Sequence, residues 1–356
     1  MKNIKKIIRI SIISLCSLIV LAAVIFGSVF IPQLMPVQTK GEAEDIKFII
    51  PYGENAYQVT QRLSEENLIK NKKIFYYCLL RPKYLKILYP KIEFPQNISF
   101  KSGIYYLNKK MNYGQIIKQF CDGSKEFIKI SFPEGLTISK IGKLLEEEYV
   151  CSKDDFYKAC HDTEILKKYN INSQSAEGFL FPDTYYFDFG NEPKLVVCKM
   201  IDNFFEKIKQ IPQLDGKSPE DFRDILILAS IVEREYKLSE EAPLIASVFN
   251  NRVKNNDGLY SCATIEYIIT EIQGKPHPER IFEADLQIDN PYNTYKWRGL
   301  PPGPISNPGI IALKAAVEPA DTDYYFFQLV DADIGKHIFS KTFDEHKQNH
   351  RLLPKR

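Results

Sequence analysis

Hydrophobic positions change their period several times along this chain, and each change marks an element. Ile10 to Pro32 is an apolar run without a charged residue, and about 20 such residues suffice to cross a bilayer as a helix. Ile46–Ile50 then reads as a strand, and Val59, Leu63 and Leu68 as the apolar side of a helix. Lys101–Leu107 predicts a returning strand, Tyr113–Phe120 a second helix, and the Lys-, Tyr- and Leu-rich insert Asn71–Asn97 more helix. Ile128–Gly135 predicts a strand and turn that open a larger part, with helices over Ile138–Tyr149, Lys153–Ala159 and Lys194–Lys209. An aromatic segment with Gly and Pro, Glu177–Phe187, lies among them, and helices over Ser218–Tyr236 and Glu241–Val253 follow. A stretch dense in Pro and Gly, Gly299–Gly309, predicts a stiff loop. The helix Ala312–Val317 and the strand Tyr324–Val330 come next, so the fold class is α+β.

The flanks of the apolar run give it a direction. Lys2, Lys5, Lys6 and Arg9 precede it, and no acidic residue occurs before Glu42. A basic flank on one side keeps the N-terminus in the cytoplasm and sends the remainder across. A cleaved signal peptide has the same layout, but this run is longer and no small-x-small site closes it. The expected organisation is a cytoplasmic tail at residues 1–9, a single transmembrane helix at 10–33 in the cell membrane and a linker at 34–45. Two folded parts outside the cytoplasm, 46–125 and 126–356, complete it.

Charge excludes one class of partner. The chain has 47 Lys and Arg against 45 Asp and Glu, and removing the four basic residues of the tail leaves 43 against 45. A nucleic-acid binder calls for a basic face instead. No cysteine pair has CxxC spacing and no His stands near a Cys at ligand spacing, so no metal site is expected. Six of the seven cysteines follow the apolar run, and the sequence does not assign them to disulfides.

One carboxylate stands out. In Ser218–Tyr236, Ser218 and Asp221 form an N-terminal capping pair with Pro219 at the first helical position. Ile225, Leu228, Val232 and Glu235 then recur at spacings of three and four, with Ile231 bordering the same face. A carboxyl held against aliphatic side chains loses solvation and becomes a usable proton donor, which acid-catalysed cleavage of a sugar linkage requires. The plain alternative is a helix leaving its buried segment, with Glu233, Arg234 and Glu235 as a solvated end.

Several motifs in order resemble one family over nearly all of the chain. They are Phe132-Pro-Glu-Gly135, Glu177-Gly-Phe-Leu-Phe-Pro-Asp-Thr-Tyr185, Leu228-Ala-Ser-Ile-Val-Glu-Arg-Glu235, Asn251-Arg252, Tyr292-Asn-Thr-Tyr295, Gly299-Leu-Pro-Pro-Gly303, Asn307-Pro-Gly309 and His337-Ile-Phe-Ser340, together with the N-terminal anchor. The set is similar to the MltG-type endolytic murein transglycosylases, the YceG-like family. The resemblance implies a LysM-like domain at 46–125 and a catalytic domain at 126–356 whose active-site region is like that of lysozyme-like transglycosylases. It implies peptidoglycan glycan strands as substrate, no cofactor, peptidoglycan synthases as partners, and Glu235 as the catalytic acid. Glu233 points about 160° away around an ideal helix and is expected to be structural or an alternative acid. Asn293, Thr294, Tyr295 and Thr264 are expected to bind substrate.

Two positions depart from the family pattern. Tyr236 follows the glutamate where a small residue is usual, and Cys262 stands where the family usually has Asp. The first is expected to crowd the cleft, and the second removes a carboxylate. Together they motivate a competing reading, a non-catalytic peptidoglycan-binding scaffold of the wall-synthesis machinery. A muramidase that uses water would differ only in leaving a reducing end.

Overall fold

The computed structural model describes residues 17–18, 20–21, 24, 27–51, 53–124, 126–331 and 333–352. The cytoplasmic tail expected at 1–9 and half of the spanning helix expected at 10–33 therefore lie outside the described residues. Among the described residues no helix is long and apolar enough to cross a membrane. The chain divides into two compact units, one up to Phe127 with Asp188–Gly190, the other Ile128–Phe187 with Asn191–Arg356.

In the first unit, β1 (Ile46–Ile50) pairs antiparallel with β2 (Gly103–Leu107), Ile46 opposite Leu107. Between and after them come α1 (Ala56–Glu65), α2 (Lys72–Leu80), α3 (Pro82–Leu88) and α4 (Tyr113–Asp122). Local chemistry sets the helix starts. Asn55 with Gln58 and Asn112 with Gln115 form reciprocal capping boxes, which satisfy otherwise orphaned backbone donors. Phe48, Leu63, Phe75, Tyr105, Tyr113 and Phe120 fill the core.

The second unit is mostly helical. β3 (Ile128–Ser131) pairs with β4 (Thr184–Phe187), and β5 (Phe326–Asp331) with β6 (Lys336–Ser340), both antiparallel. Its helices are α5 (Ile138–Glu147), α6 (Lys153–Cys160), α7 (Thr163–Lys168), α8 (Pro193–Ile208) and α9 (Pro219–Val232). They continue with α10 (Ala242–Lys254), α11 (Cys262–Tyr267), α12 (Ile310–Val317) and α13 (Phe343–Leu352). A π-helical turn, Ile268–Ile272, follows α11 directly.

Two sequence expectations about α9 need correction. The helix stops at Val232 and does not run on to Tyr236. Its last two turns, Leu226 to Val232, are buried all round instead of along one stripe, because α10 and α12 both pack on it. The Ser218 cap is as expected: its hydroxyl accepts from the Asp221 amide at 3.1 Å and donates to the Asp221 carboxylate at 2.8 Å. The six cysteines after residue 16 are unpaired.

Candidate active site

Glu235 reaches its position through a turn beyond the helix. Glu233 caps α9, and the amides of Arg234 and Glu235 donate to Ile231 and Val232, each at 3.0 Å. This three-residue hydrogen bonding tightens the chain and aims Glu235 into a cavity of about 560 Å³. Arg252, Tyr260, Ser261, Cys262, Phe326 and Phe343 also line that cavity. Loss of solvation raises the pKa of Glu235, opposed by a hydrogen bond from Ser261 and by attraction to His337 and Arg234. The Ser261 hydroxyl donates to Glu235 Oε1 at 2.6 Å. Glu235 is thus a desolvated carboxyl with one oxygen held by a donor and a cavity in front of it, suited to carry and release a proton.

Ser261 itself is clamped. Its amide donates to Thr294 Oγ1 at 3.1 Å, and its carbonyl accepts from Thr264 Oγ1 at 2.7 Å. The two threonine hydroxyls meet at 2.9 Å. Asn293 ties the same loop down, donating to the carbonyls of Leu286 at 3.0 Å and Ile288 at 2.7 Å and accepting from the Tyr295 amide at 2.9 Å.

These contacts occupy three of the residues expected to bind substrate. Asn293, Thr294 and Thr264 are fully buried with their polar atoms engaged by protein, so they position the loop carrying Ser261. Tyr295 is different. It is half-buried, its hydroxyl lies 3.1 Å from Cys262 Sγ, and its ring meets that of Tyr260 edge-on at 5.7 Å. Burial raises its pKa, and Cys262 and then Glu235 add to the rise. Ser261 escaped the sequence reading because a serine 26 positions away carries no periodic mark of its partner.

Glu233 occupies separate surroundings. It accepts from the Gly309 amide at 2.8 Å, at the start of α12. Its pKa is pushed up to about 7, first by burial and then by Glu134, against the hydrogen bonds from Gly309 and Tyr236. The Tyr236 phenol is therefore turned to Glu233, and Tyr236 is not among the cavity-lining residues. The crowding expected of Tyr236 is not seen in this cavity.

Arg252 adds a charge to the cavity wall. Its guanidinium donates to the carbonyls of Leu259 at 2.5 Å and Tyr325 at 2.8 Å, with the Tyr260 and Phe326 rings 5.6 and 5.4 Å away. Burial lowers its pKa and the neighbouring Asp257, Tyr260 and Glu235 raise it; an arginine stays protonated regardless. Beside the site, Arg234 pairs with Glu266 at 2.7 Å, and His337 Nδ1 lies 2.7 Å from buried Glu241.

The remaining motifs brace this arrangement. Asn307 Oδ1 accepts from the amides of Gly178 and Leu180, each at 2.9 Å, while its Nδ2 donates to the Leu136 carbonyl at 2.9 Å and to Glu177 at 2.8 Å. Gly178 has φ +89°, and a Cβ there would come within 2.7 Å of Pro304, so only glycine fits. Buried Glu177 also accepts from the Ile138 amide, and loss of solvation pushes its pKa up to about 8. Ser230 of α9 accepts from the Ile305 amide at 3.0 Å, and its carbonyl accepts from Ser306 at 2.9 Å. The Pro- and Gly-rich loop is thereby fastened to the helix that delivers Glu235.

Known proteins share this sequence and architecture. Residues 48–352 match the sequence pattern of the YceG-like family. An endolytic murein transglycosylase of Bacillus subtilis (strain 168) is 31% identical over 334 residues, covering 88% of this chain and 86% of the relative. An endolytic murein transglycosylase of Streptococcus pneumoniae serotype 2 (strain D39 / NCTC 7466) is 24% identical over 346 residues, 89% of this chain and 60% of the relative. The crystal structure of a yceG-like protein from Listeria monocytogenes is similar with a TM-score of 0.56 and 29% identity, covering 86% of this chain and 98% of that one. With its motifs joined around one desolvated carboxyl and a family match over most of its length, the chain belongs to the YceG-like family.

Proposed function

We propose that this protein is a membrane-anchored endolytic transglycosylase that cuts peptidoglycan glycan strands internally and so ends their elongation. The observation that carries the reading is the Ser261–Glu235 hydrogen bond on the wall of an open cavity, and the names of the relatives set the substrate class. Glu235 starts protonated and donates to the oxygen between N-acetylmuramic acid and N-acetylglucosamine as the C1–O bond breaks. Positive charge grows on C1 and its ring oxygen. The carboxylate left behind takes the proton of the muramic acid C6 hydroxyl, whose oxygen bonds C1. The products are a 1,6-anhydro end and a free N-acetylglucosamine hydroxyl, with no water consumed and Glu235 protonated again. One carboxyl serves both steps. Ser261 holds one oxygen throughout, and Arg252 is a fixed cation on the same wall.

The apolar run of residues 10–33 would anchor the chain in the cell membrane with its N-terminus in the cytoplasm, and the unit containing β1 and β2 would act as a LysM-like module beside the synthases that supply the strands. Mass spectrometry of the products from un-crosslinked glycan tests the chemistry. Anhydro-muramyl ends from the wild type and none from Glu235→Gln are expected. Reducing ends would instead identify a water-using enzyme, and no cleavage by a folded wild type would leave a binding scaffold.

A further inference from the structure

We infer that the face formed by α2 and α3 is a docking surface for an anionic lipid bilayer. Both helices send one side inward: Phe75, Cys78, Leu79 and Leu85 are buried in the core of the first unit. Their other side carries Tyr77, Leu80, Tyr84, Ile87 and Leu88, all exposed, with Ile87 73% and Leu80 59% accessible. The rings of Tyr77 and Tyr84 stack at 6.0 Å across the two helices, which makes the side chains one patch. Contiguous exposed apolar surface marks an interaction site.

Charge says which partner. Residues 67–92 carry seven Lys and Arg and no Asp or Glu, in a chain that is otherwise close to balanced. Lys72, Lys73, Arg81, Lys83 and Lys86 are exposed around the patch. Aliphatic side chains and tyrosines ringed by lysines suit the boundary between acyl chains and anionic headgroups, where tyrosine is enriched and lysine stems lie along apolar surface with their heads in water.

Position gives an independent argument. The end of the apolar run and the chain just after it are fastened at the two ends of this helix pair. Lys70, before α2, donates to the Pro32 carbonyl at 3.2 Å, and the hydroxyl of Tyr89, after α3, donates to the Leu34 carbonyl at 3.3 Å. Leu34 also packs on the core of this unit. A chain leaving the bilayer near Pro32 therefore meets the membrane surface beside this face. The second argument rests on the anchoring proposed above, and the test separates the two.

The chain has a single tryptophan, Trp297, so the full-length Trp297→Phe/Ile87→Trp variant places one reporter on the patch. It is reconstituted in phosphatidylglycerol or phosphatidylcholine vesicles with brominated acyl chains. Blue-shifted, quenched emission is expected in the anionic vesicles. Adding Lys72→Gln, Lys83→Gln and Lys86→Gln lowers the ratio of docked to undocked protein about fivefold per side chain. An unquenched reporter, in protein that co-floats with vesicles and resists alkaline extraction, overturns the docking face while leaving the anchor standing. Quenching in protein that alkali releases overturns the anchor and keeps the face. A reporter shielded from acrylamide but out of reach of the brominated chains assigns the patch to a protein contact, and the lipid proposal fails.

Discussion

The Ser261 hydroxyl donates to Glu235 Oε1 at 2.6 Å. That bond joins the N-cap residue of α11 to the turn after α9 and decides which oxygen of the carboxyl is held and which is free to face a substrate. A donor to a carboxylate favours its ionised form, so Ser261 moderates the rise in pKa that desolvation imposes.

Ser261→Ala should therefore act in two ways. Glycan cleavage should slow about 10- to 100-fold, the worth of a hydrogen bond to a charged group. In the proposed mechanism activity needs protonated Glu235 and falls as pH rises through its pKa, so losing the donor moves that basic limb to higher pH. Initial rates across a pH series report both effects. A limb that stays in place would uncouple Ser261 from the acid.

Glu235→Gln should lower the rate by roughly 10²–10⁴, the usual worth of a general acid. Glu233→Gln should stay within a few-fold of wild type, because glutamine still accepts from the Gly309 amide. Equal loss in both variants, each shown folded by circular dichroism, would return Glu233 to contention.

The clamp on Ser261 predicts a contrast between two substitutions of one residue. Thr294→Val leaves the buried Ser261 amide without its acceptor, at a cost of about 1–3 kcal/mol, and lets Ser261 drift from Glu235. Thr294→Ser keeps the hydroxyl and should retain both stability and rate. Urea denaturation and turnover measured side by side check this. A Thr294→Val enzyme that lost only substrate affinity would instead place Thr294 in contact with the glycan.

Glu177 predicts a stability slope. Its pKa is pushed up to about 8 in the fold, above the ordinary value of 4.5, so the folded state holds a proton that the unfolded chain gives up. Its contribution is fully present below about pH 4.5 and is lost as pH rises to about 8, by on the order of a few kcal/mol. Glu233 and Glu235 slope the same way. The difference between wild type and Glu177→Gln, followed by thermal melting at pH 5 and pH 8, isolates this one group. Parallel pH dependence in the two proteins would contradict it.

Most of the fold was legible in the sequence because helix starts and strand alternation are short-range matters. Ser218 and Asp221 announced α9, and Ile46–Ile50 was read as the strand it is. The same periodicity singled out Glu235, though for an incomplete reason. It took the residue as the last rung of a helical stripe, whereas the helix ends three residues earlier and a turn delivers the side chain. Only the tertiary structure could bring Ser261 to Glu235 across 26 residues, bury Asn293, Thr294 and Thr264 behind them, and turn Tyr236 toward Glu233. The physical reason is range. Capping and alternation act over a few residues of chain, so the sequence alone determined the elements and the carboxyl of interest. Hydrogen bonds among buried side chains act between segments, and packing alone decided which residues serve that carboxyl.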